Sequence, residues 1–221
     1  MVKIIPNIII LGIQGSGKST QAEKLAQKFN YNWIVAGRLV RDAIRKKNEL
    51  SNTINKYVKH GKLVPHDIIF DKIFKPYLKK INKNKGIVFD GIPRDSGQMK
   101  IFHSLLKELA ISQPYLVYLK IPDSLAYKRI LIRKICPKCD KAYKQNDLAY
   151  KNDTCPNCKI KLIKREDDTS KNALKERLSI FHKKTKKIID YYKANHRLIN
   201  IDGTKSVSEV YKEIIKKIKQ I

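Results

Sequence analysis

Gly12-Ile13-Gln14-Gly15-Ser16-Gly17-Lys18-Ser19 lies between a short apolar run and an amphipathic stretch, and this placement constrains the fold more than any other feature. Residues 8–11 read as a buried strand, and residues 18–30 read as a helix. The glycines of such a turn let backbone N–H groups face inward, and the helix adds its positive end at the same point. Gly12, Gly15, Ser16 and Gly17 would line a cradle for phosphate oxygens. Lys18 would reach the β- and γ-phosphates, and the Ser19 or Thr20 hydroxyl would sit near Mg²⁺. A nucleoside triphosphate is the ligand this loop implies.

Further strands are expected at 33–35, 87–89, 116–119 and 198–201, with amphipathic helices at 67–80, 98–109 and 206–221 between and after them. The alternation argues an α/β fold: a P-loop NTPase core with a parallel sheet flanked by helices. Two segments break it. Residues 38–64 are helical and polar with no strand following, and residues 135–162 carry turn residues and all four cysteines without a helical period. Both read as insertions. Cys136-Pro137-Lys138-Cys139 and Cys155-Pro156-Asn157-Cys158 are separated by fifteen residues. That spacing is a strong structural zinc signal, although four thiolates alone also accept iron. No run is long and apolar enough for a membrane span. Paired Cys-x-x-Cys motifs suit a reducing compartment, so a cytoplasmic protein is expected.

The charge is +28, from 48 Lys and Arg against 20 Asp and Glu. It raises the reading of a nucleic-acid-binding zinc-ribbon protein. Against that reading, the aromatic residues do not interleave with the basic ones, and only nine of the 48 cations are arginine.

The order of the remaining motifs carries a resemblance. Ala36-Gly37-Arg38-Leu39-Val40-Arg41, Gly61-Lys62-Leu63-Val64-Pro65, Asp90-Gly91-Ile92-Pro93-Arg94 with Gln98, Arg129-Ile130-Leu131-Ile132-Arg133, Arg165-Glu166-Asp167-Asp168, Arg177-Leu178 and Asp202-Gly203-Thr204-Lys205 follow in sequence. Together with the phosphate loop they resemble the adenylate kinase family of nucleoside monophosphate kinases, over nearly the whole chain. The resemblance implies Mg²⁺-dependent transfer of a phosphoryl group from ATP to AMP, giving two ADP. It implies a core of residues 1–35, 67–131 and 169–221, an AMP-binding insertion at 36–66, and a zinc-binding lid at 132–168.

It also implies roles. Arg41 and Arg94 would clamp the AMP phosphate, beside Ala36, Val64 and Gly91, and Gln98 would read the acceptor base. Arg129 would stack on the ATP adenine, with the Lys205 backbone holding that base. Arg133, Arg165 and Arg177 would close on the transferring phosphates, Asp90 would hold Mg²⁺ through water, and the four cysteines would hold structural zinc. Planar, permanently charged guanidinium groups suit this work better than ammonium groups. Six of the nine arginines fall on these positions, and Arg38, Arg45 and Arg197 are left as solvated surface. A monomer without specific nucleic-acid or membrane partners is expected.

The chain departs from the family pattern at Ala36, where threonine is usual and alanine is typical of uridylate/cytidylate kinases. Gln98 is typical of adenylate kinases. A UMP/CMP or broad-specificity kinase is therefore the alternative. Ile92 replaces a usual phenylalanine, Ser19 a usual glycine, and the interval from Arg165 to Arg177 is one residue longer than usual.

Overall fold

The computed structural model describes residues 6–164, 168 and 171–221. Arg165, one of the expected phosphate-closing residues, lies outside the described residues, as do Glu166 and Asp167. The backbone of Lys171 is described but its side chain is not.

Five parallel strands form the central sheet in the order β2-β3-β1-β4-β7. They are β1 (Ile8–Gly12), β2 (Asn32–Val35), β3 (Ile87–Asp90), β4 (Tyr115–Lys120) and β7 (Leu198–Asp202). All five coincide with the apolar runs expected from sequence. β1 and β3 are buried throughout because helices cover both faces of the sheet. On one face Ile8, Ile10, Val88, Val117 and Ile201 pack with Ala22, Leu25 and Ala26 of α1 (Lys18–Phe29) and with Val210, Ile214 and Ile218 of the last helix, Val207–Ile218. On the other face Ile9, Leu11, Ile34, Phe89 and Leu116 meet Met99, Phe102, Leu105 and Leu106. Those four side chains belong to the helix Ser96–Glu108.

Residues 36–64 form two helices, α2 (Ala36–Arg45) and α3 (Glu49–Lys59). The Asn48 side chain accepts from the Ser51 N–H and starts α3 with a capping box. The stretch expected as one helix over 67–80 is instead a wide π-helical segment, Ile68–Phe74, running into a short α4 (Lys75–Leu78). Pro76 lacks an N–H and disfavours normal winding ahead of it. The Lys75 N–H accordingly bonds to the Phe70 carbonyl, five residues back. The widened turn buries Ile69, Phe70, Ile73 and Phe74 together.

The helix Ser96–Glu108 is α5, and α6 (Asp123–Leu131) follows β4. The cysteine-bearing segment carries a two-stranded antiparallel sheet, β5 (Lys134–Ile135) and β6 (Ala142–Tyr143), and one short helix, α7 (Leu148–Lys151). That helical turn was not expected from sequence. Its own small core is Cys136, Tyr143, Cys155 and Leu162. The chain returns through α8 (Lys171–Ile180), a second π-helical segment (Phe181–Thr185) and α9 (Lys186–Ala194). The last helix, α10 (Val207–Ile218), is capped by a Ser206–Glu209 box.

β1 is flanked by β3 on one side and β4 on the other. The carboxyl ends of these strands open into a crevice, the usual ligand position in an open parallel sheet.

Candidate active site

The phosphate loop leaves β1 at Gly12 and enters α1 at Lys18. Gly15 and Gly17 adopt φ of +80° and +88°, a region closed to most side chains. A Cβ on Gly15 would stand 2.6 Å from the Ala126 carbonyl oxygen, whereas one on Gly17 would meet nothing within 4 Å. At Gly17 the requirement is thus for backbone geometry facing open space, as a phosphate cradle needs. The Gln14 Oε1, Ser16 Oγ and Asp90 Oδ2 atoms are buried here without a hydrogen-bond partner. Buried polar atoms are normally satisfied, so three around one loop mark a site built for a polar ligand.

Lys18 and Arg94 converge over Gly91. A Cβ on Gly91 would lie 3.7 Å from Lys18 Cε and 3.7 Å from Arg94 Nη2. Burial lowers the Lys18 ammonium to about pKa 8; Asp90 opposes the shift, while Arg94, Arg133 and Arg177 add to it. Burial pushes the Asp90 carboxyl up, against the pull of Lys18, the Ser19 hydroxyl and Arg94. The strained electrostatics are those of cations concentrated around an anion site.

Arg94 is held before any ligand arrives. Its Nε donates to the Gly91 carbonyl at 2.9 Å. Its backbone N–H donates to Gln98 Oε1 at 2.9 Å, and its carbonyl accepts from Thr185 Oγ1 at 2.8 Å. Gln98 is itself placed by the Asp95 cap of α5, which accepts from the Gln98 N–H at 2.8 Å. Thr185 comes from the second π-helical segment, a winding often found where a helix is bent to serve a site.

One cavity collects these groups. Its walls include Lys18, Ser19, Asp90, Arg94, Arg133 and Arg177 at one end. Ala36, Val40, Val58, Val64, Ile69, Ile92 and Gln98 line the same cavity, as does Arg41 of α2. Asp168 binds two of the arginines: it accepts from Arg133 Nε and Nη2 and, at 3.4 Å, from Arg177 Nη1.

Arg129 Nη1 donates to the Gly203 carbonyl at 3.1 Å and to that of Gly15 at 3.4 Å. The Lys205 side chain turns away to Glu213 on α10, at 3.1 Å. Thr20 sits one residue beyond Ser19 in the first turn of α1.

The four cysteine sulfurs lie within 4.8 Å of one another. Cys139 Sγ and Cys155 Sγ are 3.8 Å apart. Sulfurs about 2.3 Å from a tetrahedral ion would be separated by about 3.8 Å, so the thiol set fits zinc in both chemistry and spacing. The two knuckles share one backbone design. Asp140 N–H bonds to the Cys136 carbonyl at 2.9 Å and Lys159 N–H to that of Cys155 at 2.8 Å. Burial pushes the Cys139 thiol up to about 12. Burial also acts upward on Cys155, but hydrogen bonds from Tyr143 and from the backbone of Cys158 and Asn157 bring it down to about 6.

The adenylate kinase family model matches residues 10–197. The chain belongs to the adenylate kinase family. An adenylate kinase of Kosmotoga olearia is 34% identical over 97% of this chain and 100% of its own. Those of Rickettsia bellii and Archaeoglobus fulgidus are 35% and 33% identical, over 96% and 94% of this chain and 98% and 95% of theirs.

Three arginines depart from the sequence reading of this adenylate kinase family member. Arg38, Arg45 and Arg197 are not simply solvated. The Arg38 guanidinium lies over the Trp33 ring at 5.1 Å, with its Nε buried. Arg45 bonds to the Pro137 carbonyl and to Asp140. Arg197 lies over Tyr115 and donates to the Gln113 carbonyl. Composition cannot show these partners: Pro137 and Asp140 lie 92 and 95 residues from Arg45, Gln113 lies 84 from Arg197, and the Arg38–Trp33 pair, though only five residues apart, depends on how the chain turns from β2 into α2. Asp168 and Asp140 were also missed as arginine partners: Arg133 and Arg41 lie 35 and 99 residues from the carboxylates that bind them and leave no local signal, and the nine-residue interval from Asp168 to Arg177 matches no simple helical spacing.

Proposed function

We propose that this chain transfers the terminal phosphoryl group of ATP to AMP, with residues 36–66 holding the acceptor and residues 132–168 closing over the donor. The observation that carries this reading is the convergence of Lys18 and Arg94 over Gly91, with Arg133 and Arg177 lining the same cavity. Both nucleotides are anions, so the task is to overcome their repulsion and to align donor and acceptor; no strong base is required.

In this reading the backbone of Gly12, Gly15, Ser16 and Gly17 holds the donor phosphates, and Lys18 follows the group being transferred. Arg94 and Arg41 hold the acceptor phosphate. Arg133 and Arg177, and Arg165 by the family resemblance, neutralise charge that builds during transfer. Arg129 and the Lys205 backbone face the donor base. Mg²⁺ bound with ATP supplies charge neutralisation across the donor phosphates. The unpartnered Asp90 Oδ2 and the hydroxyls of Ser19 and Thr20 suit a hydrated Mg²⁺ at that end.

On this reading the acceptor base meets the apolar side chains of the cavity and the Gln98 amide, while Gln14, the other amide of the lining, belongs to the phosphate loop. Gln98 Oε1 already accepts from Arg94 but retains a second lone pair, and its NH₂ adds two donors. Such an amide pairs with the adenine edge, which offers both a donor and an acceptor. Ala36 adds no polar group against a different base, so preference for AMP would rest on Gln98. The four cysteines would hold structural zinc, which ties together a segment with a core of only a few side chains.

The deciding experiment is coupled ADP production from Mg·ATP with AMP, UMP, CMP and GMP in turn. AMP should be the preferred acceptor. Equal turnover of UMP or CMP would defeat the specificity reading, and no turnover with any acceptor would defeat the whole.

A further inference from the structure

The first cysteine knuckle touches the acceptor side of the cavity through Asp140, which follows Cys139 directly in the chain. Its side chain is 3% exposed, and Oδ1 accepts from Arg41 Nε at 3.0 Å and from Arg45 Nη2 at 3.2 Å. The same Arg45 nitrogen donates to the Pro137 carbonyl at 2.7 Å, so both partners come from one knuckle. Next in the chain, Lys141 Nζ bonds to Glu23 of α1 at 3.0 Å. The knuckle is therefore docked against α1 and α2 together.

This is more than an exposed ion pair, whose two long side chains would be ordered at little net gain. Asp140 is enclosed: Oδ1 takes both arginines, while Oδ2 is buried without a hydrogen-bond partner among the described residues, so the two cations carry the stabilisation of this carboxylate. Its hold on Arg41 is also directional. Nε is the inner edge of the guanidinium, and fixing it sets the plane of the fork. The two terminal nitrogens then lie over Gly37, 3.1 and 3.6 Å from where a Cβ would stand there, on the cavity wall. Ordering an arginine before the ligand arrives removes that cost from binding.

We infer that Asp140 is a positioning residue for the acceptor phosphate clamp: it presents Arg41 to the nucleoside monophosphate and so couples the cysteine-bound knuckle to acceptor affinity. The inference rests on the reading of Arg41 as part of that clamp. Asp140 holds Arg41 by Nε, the edge of the guanidinium that a forked phosphate contact through the two terminal nitrogens does not use.

The test compares Asp140→Asn, Asp140→Glu and Arg41→Ala in the full chain by steady-state kinetics, by calorimetric titration with AMP and by thermal unfolding. Asp140→Asn should raise KM and the dissociation constant for AMP about tenfold, as a misplaced contact group does, with KM for ATP and kcat retained at a temperature well below the Tm, which falls because an enclosed pair is broken. Asp140→Glu should recover part of the loss. An unchanged or lowered KM for AMP in Asp140→Asn overturns the inference, the latter outcome meaning that carboxylate and phosphate compete. So does a joint rise in both KM values at that temperature, which is the mark of a structural role alone. Arg41→Ala separates the two levels. If it leaves AMP binding intact, the clamp reading falls and the inference with it. If it weakens AMP binding while Asp140→Asn does not, only the inference falls.

Discussion

Asp168 grips Arg133 at two points, accepting from Nε at 2.7 Å and from Nη2 at 2.8 Å, with its side chain 5% exposed. Parallel bonds of this kind fix an arginine in orientation as well as position. Arg177 shares the same carboxylate, so one residue sets the spacing of two cations that line the cavity beside Lys18.

Asp168→Asn should therefore lower kcat by about 10²-fold, because two groups lose alignment at once. Breaking an enclosed pair also costs about 3–5 kcal/mol of stability. Kinetics at a temperature well below the lowered Tm separate the effects; unaltered kcat there would remove Asp168 from the positioning scheme.

Arg94→Lys keeps a positive charge but loses the Nε bond to Gly91 and the planar fork. A fall in kcat of about 10²–10³-fold is expected, the range for removing one preorganised donor, with Tm little changed. Exposed Lys46→Arg serves as the comparison and should alter neither quantity. Equal effects in the two variants would show that Arg94 is no clamp.

Lys18 gives a pH signature. Its folded pKa of about 8 lies below the ordinary 10.5. Between these values the unfolded chain binds the extra proton, so the unliganded protein should gain stability as pH rises through that window. Triphosphate favours the charged form, so binding should take up a proton above about pH 8, and kcat/KM for ATP should decline as pH rises past that point. Lys18→Arg, whatever its absolute rate, should lack this decline. A profile of the same shape in both proteins would assign the titration elsewhere.

Tyr143 donates toward Cys155 Sγ at 3.2 Å inside the small cysteine core. Tyr143→Phe should weaken zinc binding about tenfold, the lower range for removing a group that supports a ligand. Chelation of the parent protein should lower Tm by several degrees. Metal content and Tm both indifferent to chelator would mean that the cysteines hold no structural ion.

The sheet was legible because its inner strands β1 and β3 are buried on both faces and read as uninterrupted apolar runs, as at Ile87, Val88 and Phe89, while the edge strand β7 alternates buried Ile199 and Ile201 with exposed Asn200 and Asp202. The phosphate loop was legible because its glycines, lysine and hydroxyl are contiguous. What escaped depends on distance along the chain. Nothing near Arg45 announces Asp140, 95 residues away, and nothing near Arg197 announces the Gln113 carbonyl, 84 residues away. The π-helical winding at Ile68–Phe74 was hidden differently: its apolar residues satisfy an ordinary helix pattern, and only the Lys75 bond to Phe70 reveals the extra residue in the turn.

Arg129 spans the carbonyls of Gly15 and Gly203. One side chain thereby locks the loop that follows β1 to the turn that follows β7, across the width of β4. If the donor lies between these two loops, it meets a gauge of fixed length whose ends cannot drift apart independently. Such a gauge would set how far a base stands from the phosphate loop while remaining indifferent to what the base is.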